Sequence, residues 1–344
     1  MSSQKEEETK QQQGDGDGST KPYLVPLKEY HPPTKHDKNF TKVFDNIYTI
    51  KGQICMDIIP KYVSMNFSLL MTVIVLDNKD LVLINALRLN EDGLQQLDKL
   101  GNVKHVIKLA GFHGKDDPFY KARYVSNGVT IWAPKPTEET EESSSSTTAE
   151  SGNKKNGGTC KSYVFGTDVS CYCNNEIPKY FEPDKYFTDE TNFYDEIFSK
   201  PTSWLRNVTP ILIKSSTLPE ALVLLELVEK EQKIMISGDS LQNYMHKNGD
   251  EYFNTLAKWG MWAAGFMKPC NIGPPYYQGC KPNKQELLDL LNHKFDHLIP
   301  SHGDPWICMP ASQGEEEKQA EDELDKKVPA YKKFEPNIAA LPQY

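Results

Sequence analysis

Residues Leu109–Tyr120 read LAGFHGKDDPFY. A single histidine, His113, stands among small residues, with Lys115, Asp116 and Asp117 behind it. The apolar run Val103–Leu109 that delivers it has the look of a strand. Two later stretches repeat the arrangement. Lys233–Ser237 (KIMIS) ends in Gly238-Asp239, and Phe295–Pro300 (FDHLIP) ends in Ser301-His302-Gly303. Strand ends are rigid places where side chains distant in sequence can converge. A divalent cation needs several oxygen and imidazole ligands from such positions. Each segment alone also has a plainer reading. A histidine after a strand is more often a surface or core residue, and an aspartate in Ser-Gly-Asp-Ser more often a turn or cap. The three taken together point to a metal site.

The rest of the chain bounds the alternatives. Its 344 residues are 38% hydrophobic and 25% charged, enough for a sizeable core. Of the net charge of −9, about −7 falls in the two ends and one internal Ser/Glu stretch, so acidity belongs to solvated segments. No basic stripe is present to neutralise phosphates, which argues against nucleic acid. No apolar run reaches membrane-spanning length, and the Gln/Glu/Gly-rich start lacks the apolar stretch of a signal peptide. The chain therefore reads as intracellular and cytoplasmic, without a membrane partner, and its seven cysteines as free thiols.

Residues 1–38 read as a disordered tail, 39–311 as one folded domain, and 312–344 as an acidic tail. A low-complexity insertion, PTEETEESSSSTTAESGNKKNGGT, interrupts the domain at about 136–159. Within the domain, Phe44–Lys51, Ser68–Leu76 and Asp80–Ile84 read as strands, the last two as a hairpin. Glu91–Leu100 has helical spacing with acids in its first turn. Val129–Ala133 and Pro210–Lys214 read as strands, Leu218–Glu229 as strand or helix, and Asn283–Asn292 as a helix. Hairpins first and strand–helix alternation later imply an α/β protein with helices packed outside its sheets.

The order strand–His-x-x-x-Asp, strand–Gly-Asp, strand–Ser-His-Gly resembles the metallo-β-lactamase fold superfamily. Pro219-Glu220-Ala221, Gly238–Asn243 (GDSLQN), Ile272-Gly273-Pro274 and Phe295–Gly303 (FDHLIPSHG) are similar to an uncharacterised subgroup of it. The resemblance spans roughly residues 40–310 and implies an αββα sandwich, two mixed sheets face to face with helices outside. The family motif is His-x-His-x-Asp-His, then a later His, a bridging Asp and a final His. Laid on this chain, His113 takes the first position, Lys115 the second His, Asp117 the Asp, and Pro118 the last His. Asp239 matches the bridging Asp and His302 the final His. No histidine lies between His113 and His246, so the middle ligand is missing.

The resemblance thus implies a reduced ligand set. Asp117, Asp239 and His302 would hold one metal, zinc first with iron or manganese as alternatives, and His113 would stand near. Asp117 or Asp239 would orient the attacking water of a hydrolase acting on a small-molecule substrate. Three readings of Lys115 stand open: a cation repelling the metal, a salt-bridge partner replacing it, or a side chain turned away. If it replaces the metal, the chain is a non-catalytic binding or scaffold protein with no cofactor. Trp259, Trp262 and Phe266, at near-helical spacing, read as a core stripe, with Trp262 otherwise a pocket residue. His297 and His105 read as structural histidines, His246 as exposed, and Glu220 as a carboxylate opening a helix.

Overall fold

Strands buried on both faces must be apolar at consecutive positions, not alternate ones. The chain meets this demand repeatedly. The computed structural model describes residues 33–59, 63–111, 113–136, 183–198, 202–229, 231–244, 251–263, 267–308 and 327–342. Within them, β1 (Thr41–Phe44), β2 (Ile47–Ile59), β3 (Val63–Val75) and β4 (Asp80–Ile84) run antiparallel in sequence order. Helix α1 (Glu91–Leu100) then crosses to β5 (Asn102–Ile107), which pairs parallel with β4. Asn90 caps α1 by accepting from the Gly93 N–H, with Glu91 and Asp92 in the first turn. Short helix α2 (Asp117–Arg123) leads to β6 (Thr130–Pro134), and β7 (Lys185–Phe187) completes a seven-stranded sheet in sequence order.

After α3 (Phe193–Glu196), a second sheet forms from β8 (Leu205–Leu212), β9 (Ala221–Leu227) and β10 (Lys233–Ser237), all antiparallel. A short ribbon, β11 (Leu241–Gln242) with β12 (Asn271–Ile272), brackets α4 (Thr255–Ala263). Helices α5 (Pro274–Cys280) and α6 (Lys284–Asp289) precede β13 (His297–Ile299), which joins β10 in parallel, and α7 (Ala330–Ala339) follows. The second sheet has the order β13-β10-β9-β8.

Side-chain parity builds four layers from these two sheets. Leu70, Ile74, Val82, Ile84 and Ile107 of the first sheet meet Val223, Leu225, Ile234, Ile236 and Ile299 of the second in one buried cluster. Their neighbours Met71, Val73, Leu81, Leu83 and Val106 face outward and are covered by Leu94 and Leu97 of α1 and Phe119 and Tyr120 of α2. Leu222, Leu224, Met235 and Leu298 face the opposite way, under Tyr276, Leu287, Phe334 and Ile338. The order is helix, sheet, sheet, helix: the αββα sandwich implied by the resemblance.

Three boundaries differ from the sequence reading. Residues 33–38 are not wholly tail: His36 bridges Gly52, and the Asp37 N–H bonds the Lys51 carbonyl. The acidic stretch from 312 does not stay outside the fold to its end. Helix α7 docks Ala330, Phe334 and Ile338, each fully buried, against the second sheet's outer layer. Three apolar residues at i, i+4 and i+8 outweigh the charged residues between them. Leu218–Glu229, open between helix and strand, holds β9, because only an extended chain buries apolar residues on both faces here. The remaining tail segments and all but the first residue of the 136–159 insertion lie outside the described residues, as do Phe266 and His246. Among the described residues, no helix is long and apolar enough to cross a membrane.

Candidate metal centre

The three marked strand ends meet where the two sheets share an edge. β5 of the first sheet delivers His113, β10 of the second delivers Asp239, and β13 beside it delivers His302. Cross-sheet bonds fasten this edge. The Ala221 N–H donates to the Leu109 carbonyl, the Gly111 N–H to the Pro219 carbonyl, and the Leu70 N–H to the Ser301 carbonyl. The Ser301 hydroxyl donates to the Gly238 carbonyl, tying the last two strand ends together. Gly303 follows His302 with φ +94°, and a Cβ there would lie 1.9 Å from the Asn243 carbonyl oxygen, so only glycine lets the chain turn away from the site.

His113 Nε2 lies 3.1 Å and His302 Nε2 2.9 Å from the same oxygen, Asp239 Oδ1, and the two nitrogens are 3.4 Å apart. These three residues form a group whose ligand-capable atoms all lie within 4.8 Å of one another. Hydrogen bonds on the far sides of the rings assign the tautomers. His302 Nδ1 bonds the Ser68 carbonyl oxygen, which can only accept, so Nδ1 carries the proton. His113 Nδ1 faces Asn85 Oδ1 at 3.1 Å. Asn85 is oriented in turn by donating from Nδ2 to the Ser237 carbonyl at 3.1 Å, which leaves its oxygen to accept from His113. Both Nε2 atoms are then left without a proton and aimed at a carboxylate oxygen. Three acceptors at one point require a cation or a shared proton. The other carboxylate oxygen, Asp239 Oδ2, is buried with no hydrogen-bond partner among the described residues. Two imidazoles, a carboxylate and an orphaned oxygen fit a divalent metal of the borderline class.

Electrostatics agree. Burial alone would raise the Asp239 pKa, but where protons take the cation's place on the facing nitrogens, the charge and donated hydrogen bonds of His113 and then His302 hold its carboxyl far below the usual carboxylate range. Behind it, Glu220 moves the other way. Its burial, and then the Asp239 charge, push it well above the usual range. His113, Asp239 and His302 are 7%, 7% and 8% exposed, and Glu220 behind them is 2% exposed.

The sequence-predicted residues divide accordingly. His113, Asp239 and His302 come together. Asp117 does not join the group: it begins α2, its N–H bonded to the Gly114 carbonyl, and is 1% exposed. The loop after β5 thus contributes its histidine, positioned by Asn85, and the aspartate four residues on is taken into a helix. Asp116 accepts from the Arg88 N–H at 2.8 Å, tying this turn to the segment between β4 and α1. Lys115 is half-buried between Gly114, at φ +88°, and Asp116. Trp259 and Trp262 are neither core nor enclosed pocket: they are 67% and 66% exposed, while Ala257 and Met261 supply the buried side of α4. His297 is a core histidine, its Nδ1 accepting from the Cys308 N–H. Glu220 opens a strand, not a helix. Sequence reasoning missed Asn85 and the Ser68 carbonyl. A polar residue closing the apolar run DLVLIN was a signal for the first; a backbone carbonyl leaves none.

No family model matches the sequence, and no curated protein matches it significantly. Solved structures are similar in layout. A metallo-β-lactamase from Pontibacter korlensis shares 13% identity over 78% of this chain and 92% of its own, with a TM-score of 0.41. A class B3 di-zinc metallo-β-lactamase from an Alaskan soil metagenome shares 12% over 90% and 92%, at 0.43. A putative diflavin flavoprotein fragment from Nostoc sp. PCC 7120 shares 10% over 79% and 91%, at 0.41. This chain has two mixed sheets face to face, helices on both outer faces and a His/Asp/His group at the shared edge. The chain folds as an αββα sandwich, the layering that its resemblance to the metallo-β-lactamase superfamily implies.

Proposed function

We propose that the chain is a metal-dependent hydrolase with a single metal held by His113, Asp239 and His302. The observation that carries this reading is the convergence of two bare Nε2 atoms on a carboxylate whose second oxygen is buried without a hydrogen-bond partner among the described residues. A divalent cation there would supply Lewis acidity and lower the pKa of water. Zinc leads, because three protein ligands of this kind with an open position make a catalytic zinc arrangement; iron(II) and manganese(II) accept the same donors. Asn85 and the Ser68 carbonyl keep both imidazoles in the ligating tautomer. Asp239 would orient the attacking water through the oxygen that the metal leaves free. The substrate class is a small ester, thioester, amide or phosphoester.

Elemental analysis of the purified protein tests the reading. About one equivalent of zinc, iron or manganese is expected in the parent and in Asp117→Asn. Loss is expected in His113→Ala, Asp239→Ala and His302→Ala. A parent without metal, even after reconstitution, returns the chain to the non-catalytic binding or scaffold reading. Loss in Asp117→Asn instead restores the ligand set implied by the family motif.

A further inference from the structure

Glu220 is a buried carboxyl that the proposed chemistry does not use. It stands just before β9, 2% exposed, and among the described residues no cation pairs with it. Burying such a group is costly unless its hydrogen bonds repay it. Its surroundings show what it holds. Oε1 accepts from the Ser240 N–H at 2.7 Å, on the peptide that follows Asp239. A Cβ on Gly238 would lie 2.9 Å from Oε1 and 3.0 Å from Oε2, so the carboxyl is pressed against the residue that precedes Asp239. The Gly238–Ser240 turn therefore wraps the Glu220 carboxyl, with the Asp239 side chain on the turn between the two contacts.

The backbone of Glu220 is anchored to the other half of the site. It forms an antiparallel bridge with Ala110, and the Gly111 N–H donates to the Pro219 carbonyl at 2.7 Å. The Ala110 carbonyl accepts from the His113 N–H at 3.0 Å. The same Cβ on Gly238 would lie 2.9 Å from the Ala110 Cβ, so both loops and the carboxyl meet at one contact. One residue thus joins the loop that carries His113 to the turn that carries Asp239.

We propose that Glu220 is a positioning residue that sets the separation of Asp239 from His113 and so the affinity and geometry of the metal centre. This inference rests on the proposed metal reading. A glutamine retains the acceptor and the length; alanine removes the acceptor; aspartate shortens the reach by one methylene.

Titration of the metal-free protein with Co²⁺, followed by its visible absorption and by competition with Zn²⁺, tests it. Glu220→Gln should match the parent in affinity within about 2-fold and keep the parent spectrum. Glu220→Ala should bind about 10–100-fold more weakly, the range that loss of an orienting contact produces, with shifted absorption bands. A role confined to folding would lower Tm and leave the spectrum unchanged. If Glu220→Ala does not fold, Glu220→Asp is measured against Glu220→Gln, and weaker binding with altered bands is expected in the aspartate variant alone. Parent-like affinity and spectrum in folded Glu220→Ala, or in Glu220→Asp when that variant replaces it, overturns this inference and leaves the metal reading standing. A parent that binds no Co²⁺ overturns both.

Discussion

A histidine ring presents to a metal only the nitrogen that its other hydrogen bond leaves bare, so Asn85 sets which nitrogen of His113 faces Asp239. Replacing it with the similarly sized leucine removes the Nδ1 acceptor while filling the space. Asn85→Leu should weaken zinc binding about 10–100-fold, read by competition with a chromophoric chelator; unchanged affinity would show that His113 orients itself. A different histidine reports on stability. Burial lowers His105 to about 4, and its Nδ1 accepts from the Trp132 indole N–H at 3.2 Å, which requires the neutral ring. The unfolded value is about 6.5. Between the two, the unfolded chain binds more protons, so stability falls as pH drops through this window. His105→Gln should flatten that loss. Urea midpoints of parent and variant at pH 7.5 and pH 5 check it, and equal declines would refute the assignment.

Helix α7 illustrates how little apolar surface decides whether a charged segment belongs to a fold. Phe334 is fully buried against Phe295, with ring centroids 6.2 Å apart, while Glu335 beside it is exposed. Phe334→Ala should cost about 3–5 kcal/mol, and Glu335→Ala less than about 0.5 kcal/mol. Chemical denaturation of both variants separates a docked helix from a dispensable one, since a dispensable helix would make the two alike. The turns around the metal centre work differently. There the demand is on backbone shape, and Gly238 and Gly303 meet it by having no side chain to collide with Glu220 or with the Asn243 carbonyl.

The two sheets are coupled through one apolar interface and, at one edge, through the His/Asp/His group. A metal held by ligands from both sheets stabilises only the folded form. Saturating zinc at about 100 times Kd should therefore add about 2.7 kcal/mol, seen as a rise in Tm that chelator reverses. No such rise is expected in Asp239→Ala, and a rise of equal size there would place the bound zinc elsewhere.

Periodicity and strand-end chemistry were enough to read most of this molecule. Apolar runs such as SLLMTVIVL and KIMIS mark strands buried on two faces, and three such runs end in His113, Asp239 and His302. Sheets with helices packed outside follow from this patterning, because burial on both faces is written into composition, whereas the αββα layering was implied by the family resemblance. Composition alone did not separate Asp117 from the ligands, since whether a residue ends a loop or starts a helix depends on the path back across the sheet. Nor did it reveal Asn85 and the Ser68 carbonyl as the partners that bond the two imidazoles. Their roles exist only because the ends of two sheets meet, and distances between residues more than a hundred positions apart are a property of the folded chain.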